Sequence, residues 1–166
     1  MEILQGVPDD LVEVMYLIRV CVKDMNARGL KYWNTFYPGG EIIKKDLERK
    51  TIYLAKEKGV CMGMITLDEE APEDYTGVQW KNESSKPLYV HRMAVHPKWQ
   101  NTGIDKTLLE FAEKHAADNH YTSLRLDIYG SDSSTTQFYT EHQFTESGEF
   151  HSDYQKTPFI CYEKKF

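Results

Sequence analysis

Apolar residues recur along the chain at two different spacings, and the spacing predicts where helices and strands form. From Leu11 to Met25 they follow the helical period, after Pro8 to Asp10, which bring two carboxylates to a helix start. Gly29 predicts the end of this helix. An aromatic-rich loop at 32–40 follows, and a second, short helix is predicted from Glu41 to about Arg49. Two helices therefore precede the main part of the sheet.

Segments rich in β-branched and aromatic residues predict the strands. They are Glu2 to Val7, Thr51 to Lys56, Val60 to Leu67, Pro87 to Val95, Leu124 to Ile128, Phe144 to Phe150 and Phe159 to Tyr162. The second and third of these strands form a predicted hairpin with its turn at 57–59. The polar, acidic segment from Asp68 to Lys86 is predicted to be a loop.

The strongest predicted helix, Gly103 to Asp118, connects the strand at 87–95 with the strand at 124–128. A crossover of this length favours a parallel strand pair. A short helix is also predicted from Ser133 to His142. Strands and helices alternate through the centre of the chain. This order predicts an α/β fold (α+β type), in which helices cover both faces of a mixed sheet. With 166 residues and no repeat or linker, the chain is predicted to form a single domain over residues 1–166.

Composition narrows the classes of partner. A formal net charge of −6 and a pI near 5.5 disfavour nucleic acid and anionic membranes, and suit a cationic small substrate. The apolar runs are too short to span a bilayer and the first residues do not resemble a secretory signal, so a cytoplasmic protein is predicted. Cys21, Cys61 and Cys161 lie far apart without a CxxC pair, which predicts reduced core thiols and no metal site.

The segment from Met93 to Leu109 has the pattern of a strand, a tight loop and a helix with Gly103 at its start. Free backbone amides at a helix start, aided by the helix dipole, form an anion site suited to a pyrophosphate. A single glycine at such a place is common and by itself indicates only a cap. The order Ala-Val-His-Pro, then Gln-x-x-Gly-x, then an amphipathic helix, resembles the acetyl-CoA-binding motif of the GNAT superfamily.

A second segment, Leu126 to Phe144, resembles the other GNAT hallmark: a strand, a turn, a helix ending in Phe138-Tyr139, and a hydrophobic strand start. The two hallmarks cover roughly Leu88 to Phe150, and the rest of the chain matches in the order of its elements alone. The resemblance implies the acyl-CoA N-acyltransferase fold with a mostly antiparallel central sheet. It also implies acetyl-CoA as co-substrate and no metal.

By this resemblance, loop amides hold the pyrophosphate of coenzyme A, while the backbone of Met93 and Val95 binds the pantetheine. The cofactor-binding residues implied are Met93, Ala94, Val95, Gln100, Asn101, Thr102, Gly103, Ile104, Asp105, Lys106, Asp132 and Phe138. Three residues depart from the family pattern: Asp105 replaces Gly or Ala, Asp132 replaces Asn, and Gln143 replaces Gly. A carboxylate at position 105 would repel phosphates unless it points outward, pairs with Lys106 or serves the helix dipole.

Acetyl transfer to an amine requires a neutral nitrogen, a polarised thioester carbonyl and a proton for the departing thiolate. The resemblance implies Tyr139 as general acid, and an amide at Met93 or its neighbour as the oxyanion donor. His91 lies two residues before Met93 and should face the same side of the sheet, so it is the predicted general base, acting directly or through water. A core role for Tyr139 and a structural role for His91 stay open.

The predicted acceptor is a primary amine of a small molecule or a peptide, acetylated directly in a ternary complex. Aromatic residues are expected to wall its site and acidic residues to attract it: Tyr32, Trp33, Phe36, Tyr37 and Trp80, and Asp68, Glu69, Glu70, Glu73 and Asp74. Two alternatives stay open: a catalytically silent acyl-CoA-binding or sensing module, and an α/β protein whose loop binds another phosphate ligand. A homodimer is also left open.

Overall fold

The structure, a computed structural model, describes residues 1–83 and 86–166; Ser84 and Ser85, in the predicted loop, lie outside the described residues. Its sheet has the strand order β1-β2-β3-β4-β5-β7-β6. The strands are β1 Glu2–Gln5, β2 Ile52–Glu57, β3 Val60–Asp68, β4 Pro87–Val95, β5 Ser123–Tyr129, β6 Thr145–Phe150 and β7 Phe159–Lys165. The helices are α1 Leu11–Ala27, α2 Gly40–Glu48, α3 Ile104–Asp118 and α4 Ser133–Glu141.

Strand pairing gives a mixed sheet, as predicted. β4 and β5 run parallel, with a register from Pro87↔Ser123 to Tyr89↔Arg125, so the α3 crossover produces the expected parallel pair. The pairs β1/β2, β2/β3, β5/β7 and β6/β7 are antiparallel. The observed elements agree with the predicted ones to within a few residues at their ends, except that part of the predicted acidic loop forms a 3₁₀ turn at Glu73–Gly77.

The chain divides into two compact units. The first unit consists of Met1–Leu67 and His91–Ala112, and the second of Asp68–Val90 and Glu113–Phe166. Strand β4 and helix α3 each contribute residues to both units. The single domain over residues 1–166 stays a prediction.

In the first unit, α1 buries one face at the helical spacing that the sequence predicts. Its buried residues are Val14, Leu17, Ile18, Cys21, Val22 and Met25. Gly29 follows the helix with φ of 78°, which is the left-handed conformation of a glycine that ends a helix. Helix α2 buries a carboxylate, Asp46, beside Ile43 and Leu47, which the apolar pattern does not predict. This carboxylate has a buried partner on β4, described below.

In the second unit, β5 buries Leu124, Leu126 and Ile128, and an aromatic cluster forms around Tyr75. All three cysteines of the chain are buried free thiols, which confirms the prediction. Burial raises the pKa of Cys21 to about 12, of Cys61 to about 11 and of Cys161 to about 12. No helix among residues 1–83 and 86–166 is both long and apolar enough to cross a membrane.

Candidate cofactor and catalytic site

The β4–α3 loop, residues 96–103, is held by its own backbone and side chains. The His96 amide donates to the Met62 carbonyl (2.9 Å), which attaches the start of the loop to β3. His96 Nδ1 accepts from the Lys98 amide (3.1 Å), so this histidine serves the turn. The Trp99 amide donates to the His96 carbonyl (2.8 Å), and Thr102 Oγ1 donates to the Trp99 carbonyl (2.5 Å). The loop therefore has a conformation that is fixed by its own hydrogen bonds.

The end of this loop leads into α3 through two exposed residues, Thr102 and Gly103, and the buried Ile104. Asn101 and Gly103 adopt left-handed conformations with φ of 61° and 88°. Within the described part of the chain, no acceptor takes the amide protons of Thr102, Gly103 or Ile104. A Cβ at Gly103 would meet no described atom within 4 Å, so the glycine is required by its backbone conformation and not by lack of space. Unpaired amides at the start of a 15-residue helix form an anion site.

Asp105, the residue that departs from the family pattern, bonds to this same helix start. Its Oδ1 accepts from the Lys106 amide (2.8 Å). The Lys106 ammonium lies instead 3.7 Å from the Glu110 carboxylate, and both of those side chains are exposed. The Asp105 carboxylate thus serves the first turn, and it occupies one of the amides that an anion could use.

Gly63 on β3 is a residue of the site that the sequence analysis missed. A Cβ there would come within 3.0 Å of the Ala94 carbonyl oxygen and within 3.1 Å of side-chain atoms of both Ile104 and Leu108. A larger residue there would require its neighbours to shift by a few tenths of an ångström, so Gly63 allows the start of α3 to lie close to the strands. An isolated glycine inside a strand pattern is the signal that indicates such a close approach.

The end of β4 alternates in burial, as a strand with two different faces does. Arg92 and Ala94 are buried, while His91, Met93 and Val95 are half-buried. His91 and Met93 therefore share one side of the strand, as the sequence predicts. The assignment of His91 as general base stays a prediction.

Arg92 is a second residue that the sequence analysis missed. Its Nη2 donates to the buried Asp46 carboxylate of α2, and its Nη1 lies 3.4 Å from the Tyr37 hydroxyl. Its Nε is buried without a partner among the described residues. Asp46 stands 46 residues away in sequence, so no local pattern indicates the pair. The pair attaches the aromatic loop and α2 to the strand that carries Met93.

The aromatic residues expected around the acceptor have different environments. Trp33 is buried, whereas Phe36 is 88% exposed and Tyr37 is 41% exposed. Asn34 Oδ1 accepts from the amides of both Phe36 and Tyr37 (2.8 and 3.0 Å), which shapes this part of the loop. Trp80 belongs to the second unit, where its ring lies 5.4 Å from that of Tyr75.

In the second unit, the β5–α4 turn is built by a buried side chain. Asp132 is 3% exposed and caps α4: its carboxylate accepts from the Thr135 amide (3.1 Å) and from Thr135 Oγ1 (2.8 Å). Aspartate and asparagine are both good N-caps, so this departure from the family pattern keeps the same physical role. Gln143 after α4 has φ of 69°, a conformation that the glycine usual in the family adopts more easily.

Tyr139 lies on the buried face of α4 and is 5% exposed. Its ring makes edge contacts with Phe138 and Phe144, at centroid distances of 5.1 and 5.2 Å. Phe138 is half-buried and its ring lies 4.4 Å from that of His142. The second unit thus contains Asp132, Phe138 and Tyr139, and the first unit contains the other predicted site residues.

Comparisons with known proteins agree on one class. A family model described as the acetyltransferase (GNAT) family matches residues 16–144. The uncharacterized N-acetyltransferase YesJ of Bacillus subtilis (strain 168) is 22% identical over 137 residues, which are 81% of this chain and 76% of that protein. A GNAT acetyltransferase structure from Streptococcus agalactiae 2603 is similar with a TM-score of 0.86 at 18% identity, covering 99% of this chain and 95% of that one.

A further similar structure is that of PaiA N-acetyltransferase from Thermoplasma acidophilum in complex with coenzyme A, with a TM-score of 0.72 at 21% identity over 99% of this chain and 98% of that one. Because the family model matches most of its length, the chain belongs to the GNAT acetyltransferase family. The resemblance stated from the two motifs and the predicted fold class are both confirmed. The assignments of individual site residues stay predictions.

Proposed function

We propose that the protein is an N-acetyltransferase that transfers the acetyl group of acetyl-CoA to a primary amine of a small molecule or peptide, directly in a ternary complex. The observation that carries the proposal is the start of α3, where the amides of Thr102, Gly103 and Ile104 have no hydrogen-bond acceptor among the described residues, in a chain of the GNAT family. A coenzyme A complex of a protein with a similar fold supports the choice of cofactor.

The residues present fit the pyrophosphate of coenzyme A in one respect and oppose it in another. The unpaired amides and the positive end of the α3 dipole favour two phosphates at the helix start. The Asp105 carboxylate adds a like charge and already accepts from the Lys106 amide. When bound, acetyl-CoA supplies the activated thioester whose acetyl group is transferred. The backbone of Met93 to Val95 would hold its pantetheine arm.

Two side chains are proposed to handle the protons. An alkylammonium loses its proton at pH 7 at a cost of about 4–5 kcal/mol, because its pKa lies roughly 3 units higher. His91 takes this proton, directly or through water, so that the neutral nitrogen can form its bond to the acetyl carbon. Tyr139 donates its hydroxyl proton to the sulfur as the carbon–sulfur bond breaks, and the second proton that the nitrogen loses after its attack restores the tyrosine hydroxyl, directly or through water. A backbone amide at Met93 or its neighbour stabilises the negative charge on the carbonyl oxygen.

A catalytically silent acyl-CoA-binding module is the second candidate. The observation that favours it is the bond between Asp105 and the Lys106 amide, because it places a negative charge at the anion site. A protein whose loop binds another phosphate ligand is a third candidate. A cytoplasmic location belongs to the main proposal and rests on the acidic composition.

Calorimetry and a free-thiol assay together test the proposal. Acetyl-CoA should bind saturably and more tightly than ATP or NAD, and thiol should be released when members of a panel of primary amines are added. Saturable binding without thiol release from any amine would favour the silent module. Preference for ATP or NAD over acetyl-CoA would favour the third candidate and contradict the first.

A further inference from the structure

An aromatic cluster, defined here as Tyr75, Trp80, Tyr89 and Phe150, lies entirely within the second unit. Tyr75 is at its centre: its ring centroid is 5.4 Å from that of Trp80, 5.9 Å from Tyr89 and 5.8 Å from Phe150. Tyr75 is 5% exposed, whereas Trp80 and Phe150 are half-buried. The cluster therefore has a buried centre and an edge that reaches solvent.

A carboxylate lies against the centre of this cluster. The Tyr75 hydroxyl donates to Asp127 Oδ2 at 2.6 Å. Asp127 is half-buried on β5, two residues after Arg125, where the parallel register with β4 ends. Burial, followed by the nearby Asp127 charge, raises the pKa of Tyr75 well above its ordinary value. The hydroxyl therefore stays protonated and keeps the carboxylate in a fixed orientation.

A carboxylate and aromatic rings together favour a positively charged ligand. Aromatic side chains exclude water from a neighbouring carboxylate. The electrostatic attraction between that carboxylate and a positively charged group is therefore stronger here than in water. Ring faces also attract cations. The cluster already shows this chemistry, because the Arg125 guanidinium lies 4.4 Å above the Trp80 ring.

Nearby charges act in the same direction, apart from the Arg125 guanidinium, which is paired with the Glu163 carboxylate at 2.6 Å. The segment 68–86, which supplies Tyr75 and Trp80, carries six acidic and two basic residues. Asp74 lies close enough, together with Asp127, to help raise the pKa of Cys161 in the same cluster, after burial as the main cause. An excess of negative charge around a site raises the local concentration of cations.

We propose that Asp127 and the aromatic cluster bind the ammonium group of the acceptor, so that the acceptor is an aliphatic amine that arrives as an alkylammonium. This inference rests on the proposed function and narrows its substrate class. Asp127 supplies the opposite charge, Tyr75 holds that charge in place, and the rings contact the alkyl chain.

The test uses butylamine, which is an ammonium at pH 7, and 1-butanol as its uncharged counterpart of similar size. Both are titrated into the full-length, isotope-labelled protein saturated with coenzyme A, and amide and indole signals are followed by NMR. Butylammonium should shift the Trp80 indole and the amides around Asp127 saturably, with Trp33 and Trp99 as internal references. The proposal would be overturned with the wild-type protein alone if butanol caused the same chemical-shift changes as butylammonium. It would also be overturned if the changes did not include β5 and Trp80.

Substitutions in the second unit test which side chains bind butylammonium. Asp127→Asn should weaken butylammonium binding about tenfold or more, the scale of a hydrogen bond to a charged group. Tyr75→Phe should weaken it less, because the charge remains. Glu149→Gln is the matched control: it removes an exposed charge from β6 in the same unit and should leave affinity within about twofold. A folded Asp127→Asn protein with wild-type affinity would exclude the ammonium site.

The outcome is distinguishable from failure of acetyl transfer. If butylammonium binds in an Asp127-dependent way but no amine releases thiol, the ammonium site stands and the transferase proposal fails. If transfer occurs and Asp127→Asn leaves KM for butylamine unchanged, the ammonium site fails and the transferase stands. If the transferase proposal and the ammonium site are both correct, Asp127→Asn should raise KM for the amine while affinity for acetyl-CoA stays the same.

Discussion

The two segments that carry the family motifs are both strand–turn–helix junctions, and they are built by opposite means. In the β4–α3 junction the backbone conformation is decisive: Asn101 and Gly103 take left-handed conformations and their side-chain positions are exposed, although His96 and Thr102 add side-chain bonds within the loop. In the β5–α4 junction a buried side chain does it, because Asp132 caps α4 through two bonds to Thr135. There the backbone is also closely packed, since a Cβ at Gly130 would come within 2.7 Å of the Pro158 carbonyl.

The difference predicts where each junction tolerates substitution. Exposed amides bind an anion whatever the side chains are, provided that the backbone conformation is kept. The first junction should therefore tolerate side-chain changes outside His96 and Thr102, and should lose anion binding when a left-handed conformation is forbidden. The second should tolerate only residues that can cap α4, because Asp132 is buried and its bonds hold the helix that carries Tyr139.

The largest effect is expected at Tyr139 of the second junction. Tyr139→Phe keeps the ring contacts with Phe138 and Phe144 and removes only the hydroxyl. If that hydroxyl protonates the thiolate, single-turnover acetyl transfer should fall about 100-fold while affinity for acetyl-CoA changes little. Tyr162→Phe, at another buried tyrosine of the same unit, is the control and should keep its rate. A wild-type single-turnover rate for Tyr139→Phe would make Tyr139 a packing residue.

At the first junction, Gly103→Val should weaken acetyl-CoA binding about tenfold or more. A residue with a Cβ resists the left-handed conformation by about 1–2 kcal/mol, and a β-branched one resists it further. Gly29→Val is a matched control, because Gly29 also has a positive φ of 78° and no described atom near its Cβ position. Thermal unfolding should show a similar loss of stability for both variants. Calorimetry should show a loss of affinity for acetyl-CoA only for Gly103→Val. Equal affinities would remove the anion site from this loop.

The sequence predicts both junctions where their parts are local, and it misses the contacts between distant segments, for a physical reason. The glycine, the strand before it and the helix after it are local in sequence, so the pattern around 93–109 shows them directly. The capping role of Asp132 is also local, and three residues separate it from Thr135. What the pattern cannot show is the packing of distant segments: the Arg92–Asp46 pair spans 46 residues and the Tyr75–Asp127 bond spans 52.

The difference between local patterns and long-range contacts also explains why only part of the candidate site could be predicted from the sequence. Helix and strand positions follow from periodicity, and the side of β4 that His91 shares with Met93 follows from alternation. The buried carboxylate Asp46 contradicts the apolar period of α2, because an arginine of another element neutralises it. The walls of an acceptor site depend on such long-range contacts, so Phe36, expected in a wall, is almost fully exposed.

A moderate effect is expected from Asp132→Ala in the second junction. Loss of the cap should destabilise the protein by about 1 kcal/mol, because a helix N-cap replaced by alanine loses roughly that amount. For a chain of this length that is a decrease of about 2–4 °C in the melting temperature. Asp132→Asn is the matched variant and should retain most of the stability, since asparagine caps equally well. An alanine variant as stable as the asparagine variant would mean that the two bonds to Thr135 contribute nothing.

The smallest effect is expected at Asp105, where charge and hydrogen bonding can be separated. Asp105→Asn removes the charge and keeps an oxygen that can accept from the Lys106 amide, whereas Asp105→Ala removes both. If the charge repels the pyrophosphate, both variants should tighten acetyl-CoA binding about two- to fivefold at low salt, the scale of about 1 kcal/mol between charges in water. The gain should shrink towards 1 M salt, where the Debye length is about 3 Å.

Both Asp105 variants should be less stable than the wild-type protein even if they bind acetyl-CoA more tightly, because an acid in the first turn of a helix stabilises it by about 0.3–1 kcal/mol. Glu110→Gln is the control: it removes a charge of the same sign one turn further along α3, beside Lys106, and should alter affinity less than Asp105→Asn. If Asp105→Ala tightens binding and Asp105→Asn does not, the carboxylate competes for the Lys106 amide and repulsion is not the cause. If neither variant binds more tightly, Asp105 serves only the helix, and the argument for a silent module loses its one observation.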